Sequence, residues 1–290
     1  MKTKNQYWMS SLFMALLSVS FGVCSCGDDD DDNNTSFGQK ENALSWGYLD
    51  KGAGLRLKGI DGINTFDIED LKHSLTCSYD KNGQLNLVSW PGWGDPIKID
   101  YESRTMYNTH FTVNSSGYLL TYLDEGFSLS CDYDNNGHIV KMNWLYDQDE
   151  DGSGHTQTFN DVTTFVWEND LLTQVNHSTH FGNATSTGEE IEGVYYTKLN
   201  YDKTKYVNKY QQYAPFIDFS NILEYNDYFL LGLFGKGPAY LPSMVEQGYV
   251  FTFGPGNKEQ FLPTYEFNAD GSLAKYSKGN TEPTTFYYEK

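Results

Sequence analysis

Asp147, Asp149 and Asp151 stand at alternate positions and run directly into Gly152 and Ser153. Carboxylates at this spacing can turn their oxygens toward one point, and the glycine permits the sharp bend of a calcium loop. The twelfth position, where a bidentate Glu belongs, is Thr158. The pattern therefore predicts either a weak calcium site built on Asp147, Asp149, Asp151 and Ser153, or an acidic turn held in water. Asp132, Asp134, Asn136 and Gly137 repeat the spacing, but they sit in a hairpin motif that needs no metal. Trp90-Pro-Gly-Trp93-Gly puts two indoles in one short loop. Their flat faces suit the C–H face of a sugar ring, and they equally suit covering the end of a sheet. His177 and His180 are three apart, which on a strand means opposite faces, so they do not make a shared metal site.

Other chemistry is excluded or unlocated. There is no nucleophile elbow, phosphate-binding loop or dinucleotide fingerprint. With 39 Asp and Glu, any carboxylate pair of a glycan hydrolase is hidden among many. The formal net charge of −19 excludes binding to nucleic-acid phosphates.

The first residues carry an address. Lys2 and Lys4 precede an apolar run from Trp8 to Val19, too short to span a bilayer and of signal-peptide length. Cys26 follows Ser25, with Val23 at minus three, as in lipoprotein-type signals; bulky Val23 makes Cys24 the poorer fit. Residues 1–25 read as a lipoprotein signal peptide and Cys26 as the lipidated (palmitate-type) residue. Asp28 to Asp32 form a block of like charge that repels itself and stays extended. Residues 26–45 therefore read as an acidic tether. Several acyl chains on Cys26 would hold a membrane durably where one would not. This start resembles the Bacteroidota-type lipoprotein export signal, which implies an outer-membrane lipoprotein displayed at the cell surface.

The elements that position these groups read as β. The chain has 23 Tyr, 18 Phe and 6 Trp, a composition that favours strands. One motif recurs at Tyr79–Leu85, Val113–Leu119, Tyr133–Ile139 and Phe267–Leu273: a large apolar residue, Asp or Asn, glycine three residues later, and an aliphatic residue two past the glycine. The physics is a hairpin in which Asp or Asn caps a type I turn and the glycine takes the left-handed conformation of a G1 bulge. Tyr79 should then face Leu85, Val113 Leu119, Tyr133 Ile139, and Phe267 Leu273. Tyr201–Val207 is a weaker copy with Lys205 at the glycine position, and Trp167–Leu172 suits a two-residue Asn169-Asp170 turn. Cys77 and Cys131 occupy equivalent repeat positions and read as small buried residues rather than a bridge.

Ser220 to Phe234 breaks the pattern. Ser220 caps it, Glu224 lies in the first turn, apolar residues recur at helical spacing, and Gly235 and Gly237 end it. It is expected to be a helix against the concave side of the sheet.

The hairpin units resemble tyrosine-aspartate repeats of RHS-type proteins. Together with the lipoprotein start and Leu230–Pro242, they resemble a family of gut-bacterial lipoproteins with a porin-like fold, a likeness that implies architecture and no chemistry. The fold expected is all-β: a large curved antiparallel meander in residues 46–290, forming an open or partly closed barrel around one helix near 220–234. A lipid anchor and frequent charge on the strands argue against a membrane-spanning barrel. The function expected is a surface-exposed, non-catalytic module that binds a glycan or an envelope protein. The alternatives are a structural partner of an outer-membrane complex and a carboxylate-dependent glycan hydrolase.

Overall fold

A computed structural model describes residues 48–50, 53–64, 72–91, 96–106, 109–124, 127–148, 157–181, 191–215, 229–251 and 254–290. The chain divides into two units, Met1–Gln39 and Lys40–Lys290, and every described residue belongs to the second. The signal peptide, Cys26 and the aspartate block lie outside the described residues.

The strands are β1 (Tyr48–Asp50), β2 (Leu55–Asn64), β3 (Lys72–Tyr79), β4 (Leu85–Ser89), β5 (Ile97–Asp100), β6 (Thr105–Met106), β7 (Thr109–Val113), β8 (Leu119–Asp124) and β9 (Phe127–Tyr133). They continue as β10 (Ile139–Gln148), β11 (Gln157–Glu168), β12 (Leu171–Phe181), β13 (Ile191–Asn200), β14 (Met244–Phe251), β15 (Gly254–Phe261), β16 (Pro263–Phe267), β17 (Leu273–Lys278) and β18 (Thr284–Glu289). Each strand from β2 to β14 pairs antiparallel with the next, and β18 returns to β2. Only Leu262 separates β15, which pairs with β14, from β16, which pairs with β17. The result is a nearly closed, all-antiparallel barrel.

The four hairpin repeats fold as their sequence predicts. Tyr79 pairs with Leu85, Val113 with Leu119, Tyr133 with Ile139 and Phe267 with Leu273, each beside a register shift. Gly83, Gly117, Gly137 and Gly271 have φ of 74, 82, 86 and 91°, and each donates its N–H to the carbonyl of the turn's Asp or Asn. The Asp134 carboxylate accepts from the Asn136 and His138 amides at 2.9 Å each, and Asp80 and Asn114 accept in the same way. Asn169 and Asp170 both have positive φ, 51 and 59°, as a two-residue hairpin turn requires. Tyr201–Val207 departs from expectation. The left-handed residue is Tyr206 rather than Lys205, and Val207 pairs with Tyr240, so the segment leaves the sheet instead of turning back along it.

Several aromatics along this rim have a second task. Tyr133 donates its hydroxyl to the Leu119 carbonyl at 2.6 Å, Tyr101 to Leu85, Tyr201 to Leu172, Tyr288 to Leu273 and Tyr79 to Leu57. The Trp167 indole N–H reaches the Ile139 carbonyl at 2.7 Å. In most cases the acceptor is the aliphatic residue that follows the preceding turn. Each hairpin is thereby stitched to its neighbour along one rim of the barrel. Burial pushes the Tyr133, Tyr201 and Tyr288 hydroxyls up, which keeps them protonated donors. Tyr133→Phe should cost about 1–2 kcal/mol, because it strands a part-buried carbonyl. Urea melts of the two proteins check this; coincident curves would reduce the stitch to geometry without energy.

A closed sheet buries its inner face. Leu75, Leu85, Val88, Leu119, Leu129, Ile139, Met142 and Leu172 join one core with residues of the β13–β14 connection: Tyr213, Ala214, Phe229, Leu230, Leu231, Leu233, Phe234 and Leu241. This connection plugs the stitched end. The Leu119 amide donates to the Leu233 carbonyl, the Lys236 amide to the Gly137 carbonyl, and the Ala239 amide to the Asp170 carbonyl. The helix expected over 220–234 is corrected at its end. Residues 216–228 lie outside the described residues, Phe229 and Leu230 are helical, and the chain turns at 231–234 with Gly232 left-handed at φ 77°. Consecutive residues Phe229, Leu230 and Leu231 are all buried, because the plug is surrounded and a single apolar stripe would leave part of it uncovered. Cys77 and Cys131 are buried thiols that do not form a disulfide, and burial pushes the Cys131 thiol up.

Candidate functional site

The barrel's two ends differ in chemistry. The glycine turns, the aromatic stitches and the plug close one end, and β1, where the described chain begins, pairs with β2 at that same end. At the other end, inward-facing positions on β10 to β14 turn polar and aromatic. Register fixes who meets whom. Met142 pairs with Thr163, Thr163 with His177, His177 with Tyr195, and Tyr195 with Tyr249, one residue from each of five neighbouring strands. The next level outward includes Trp144 paired with Asp161.

These residues make a connected polar group inside the sheet. Asp161 is 7% exposed, His177 6% and Thr163 0%. Thr163 Oγ1 lies 2.8 Å from His177 Nδ1, and Tyr146 donates its hydroxyl to Asp161 Oδ2 at 3.2 Å. His177 Nε2 is 3.9 Å from Asp161 Oδ2, too long for a direct hydrogen bond, and it has no hydrogen-bond partner among the described residues. Burial lowers the pKa of His177, with the nearby Asp161 carboxylate partly offsetting it, so the ring is neutral at pH 7. Half-buried Tyr195 stands beside it and Tyr249 beyond Tyr195, with ring centroids 5.8 Å apart, and Phe251 lies tilted 4.7 Å from Tyr249. Gly256 makes room for this wall, since a side chain there would run into the Tyr249 ring.

Hydroxyl, imidazole and carboxylate in a row invite comparison with a nucleophilic triad. The geometry does not support that use. Thr163 Oγ1 is sealed from solvent, and the carboxylate makes no hydrogen bond to the imidazole. The group is a buried polar cluster bordered by the Tyr195 and Tyr249 rings on neighbouring strands.

Of the residues nominated by sequence, Trp90 follows β4 and Asp147 is the penultimate residue of β10, both at the end opposite the plug. Trp90 is partly buried and packs on the core, and Asp147 is exposed. Trp93, Asp149, Asp151 and Ser153 lie outside the described residues. Among the described residues no group of three or more His, Cys, Asp or Glu is placed to hold a metal ion. The His177 group was missed. A signal for it existed in F-N-D-V-T-T-F: Asp161 and Thr163 share the strand phase of Phe159 and Phe165, so the core phase carries polar groups.

The outer face is also distinctive. The outward row Thr112, Thr121, Ser130, Asn143, Val162 and Ser178 runs in register across β7 to β12. A lipid-spanning barrel carries an apolar band outside, whereas this row is mostly hydroxyls and amides, with Leu123, Leu145, Val166 and Val250 exposed at other positions on the strands.

No family model matches the chain, and no curated protein matches it by sequence. Among solved structures it is similar to a porin-like protein from Bacteroides vulgatus, at 14% identity and a TM-score of 0.51, covering 80% of this chain and 98% of that one. A porin-like protein from Bacteroides uniformis matches at 12% identity and a TM-score of 0.47, covering 80% and 96%. The chain therefore has a porin-like fold.

Proposed function

We propose that the chain is an outer-membrane lipoprotein, anchored through acylated Cys26 and displayed at the cell surface, whose filled barrel binds a glycan or an envelope protein at the end opposite the plug. The observation that carries this reading is the mostly polar outward row from Thr112 to Ser178 over an apolar core, with one end plugged. A barrel with such an outward row and a core packed with apolar side chains gains less from lipid contact than one with an apolar band, and a separate anchor suits it. The signal, Cys26 and the aspartate block supply one. Among the described residues β1 begins at the plugged end, so a tether leading to it would leave the opposite end facing away from the anchor. The porin-like fold of the neighbours is compatible with an outer-membrane setting.

Cys26→Ala should abolish acyl labelling and release the protein from membranes, with Cys24→Ala doing neither. Purified protein added to planar bilayers should give no ion conductance. Cys26→Ala protein that still needs detergent for extraction, or reproducible conductance steps, would show that the barrel itself enters lipid.

A further inference from the structure

We infer that His177 is an acid-sensitive latch in the barrel wall: a proton taken up by its buried ring loosens the end of the β11–β12 pairing while the plugged end stays seated. This goes beyond the binding reading and does not depend on it.

His177 stands on β12 and is 6% exposed, and Thr163 of β11, directly opposite, is 0% exposed. The neutral ring suits this setting. It makes one hydrogen bond, between Nδ1 and Thr163 Oγ1 at 2.8 Å, in which the hydroxyl can donate. The imidazolium suits it poorly. Both its nitrogens are donors, so Thr163 would have to accept instead, and Nε2–H would find no hydrogen-bond partner among the described residues. The charge would also be held away from water.

The groups around the ring decide whether an anion rescues the cation. From β11, Asp161 Oδ2 lies 3.9 Å from Nε2, and Tyr146 of β10 donates its hydroxyl to that same oxygen. From β13 comes Tyr195, and beyond it Tyr249 of β14, which bring phenol hydroxyls and no carboxylate. At 3.9 Å Asp161 attracts the ring without bonding it. Burial outweighs that attraction and holds the pKa of His177 below the ordinary histidine value.

The sign and the place of the effect follow. A histidine in the unfolded chain titrates near about 6.5 and binds its proton more readily than the folded His177. The stability that the neutral ring contributes is complete above that pH and is lost as pH falls through it, until the folded ring is charged as well. The pairing of β11 with β12 runs from Glu168–Leu171 to Val162–Ser178, so Thr163–His177 is the last pair but one. The end of a ladder opens at less cost than its middle. The plug is tied elsewhere, by the Leu119 amide to the Leu233 carbonyl and the Lys236 amide to the Gly137 carbonyl.

The test is amide hydrogen exchange on the wild type and on His177→Gln, which can still hydrogen-bond and cannot be charged. Between about pH 7.5 and about pH 5.5, protection of the amides that pair β11 with β12 beside His177 should fall at least about tenfold in the wild type, after correction for intrinsic rates, and less than about threefold in the variant. Protection of the Leu119 and Lys236 amides should hold in both. If His177→Gln does not fold, ring NMR of the wild type takes its place: His177 should stay neutral to lower pH than an exposed histidine, and its protonation should coincide with the loss of protection. Unchanged protection in the wild type, an equal fall in His177→Gln, or protonation without loss of protection would overturn the latch. An equal fall at the plug would make acid a global destabiliser and overturn the local device. A rise would mean that Asp161 captures the imidazolium, which reverses the sign and overturns it too.

Discussion

Phe234→Ala should destabilise the barrel by about 3–5 kcal/mol, the range for deleting a fully buried phenyl ring. Phe234 is 0% exposed, and its ring centroid is 4.5 Å from that of Phe229, which in turn packs on Tyr213 and Phe165. The plug is held by backbone hydrogen bonds to several turns, so it cannot slide to fill the hole. The cavity term therefore adds to the transfer term. Against a usual domain stability of about 5–15 kcal/mol, the loss is a large share. Urea melts followed by tyrosine and tryptophan fluorescence measure it. A loss under about 1 kcal/mol would mean that the plug contributes little and that the wall is stable alone.

The plug matters because of what hairpin bulges leave undone. A G1 bulge frees backbone groups next to the turn, and these need partners. The Leu119 amide finds the Leu233 carbonyl, the Leu273 amide finds the Gln212 side-chain carbonyl, and the Gly137 carbonyl finds the Lys236 amide. Asn208 holds the plug's own shape, donating from Nδ2 to the Gln212 and Pro238 carbonyls. His138 joins wall to plug: it bridges to Gly235 in the plug, is buried, stacks on Trp167 with centroids 4.0 Å apart, and lies 3.1 Å from the Asp134 carboxylate through Nδ1.

How far this was legible in the sequence follows from the range of each interaction. The hairpin at Tyr133–Ile139 could be read completely, because Asp134, Gly137 and the pairing of Tyr133 with Ile139 all act within seven residues. The all-β meander followed from repeating such units. The closure of β18 onto β2 could not be read, since Tyr288 meets Leu57 across nearly the whole chain and no local signal encodes that pairing. The tyrosine hydroxyl targets were hidden for the same reason; they lie one hairpin away. The plug misled because apolar residues at helical spacing also suit a segment buried on all sides. His177, Asp161 and Thr163 come from two strands and look like ordinary polar residues until the register places them inside.

Gly235→Ala should cost at least about 2–3 kcal/mol, whereas Gly232→Ala, three residues earlier in the same plug, should cost about 1 kcal/mol. Both glycines have positive φ, 93 and 77°, so both pay the steric penalty of an L side chain there. They differ in surroundings. A Cβ on Gly232 would meet nothing within 4 Å, while one on Gly235 would collide with the Gly137 carbonyl oxygen and press on the Tyr133 ring at 3.2 Å. That oxygen is fixed: Gly137 sits in the hairpin turn, and its carbonyl accepts the Lys236 amide at 3.0 Å. Relief would therefore break the bond that seats the plug or shift Tyr133, whose hydroxyl holds Leu119. The strain has no inexpensive exit, which is why the two alanines should part. Parallel chemical melts measure the difference. Equal losses would mean that backbone conformation alone governs both sites and that the close approach of plug and turn at Gly235 is absent in solution. A larger loss at Gly232 would place the tight contact elsewhere in the plug.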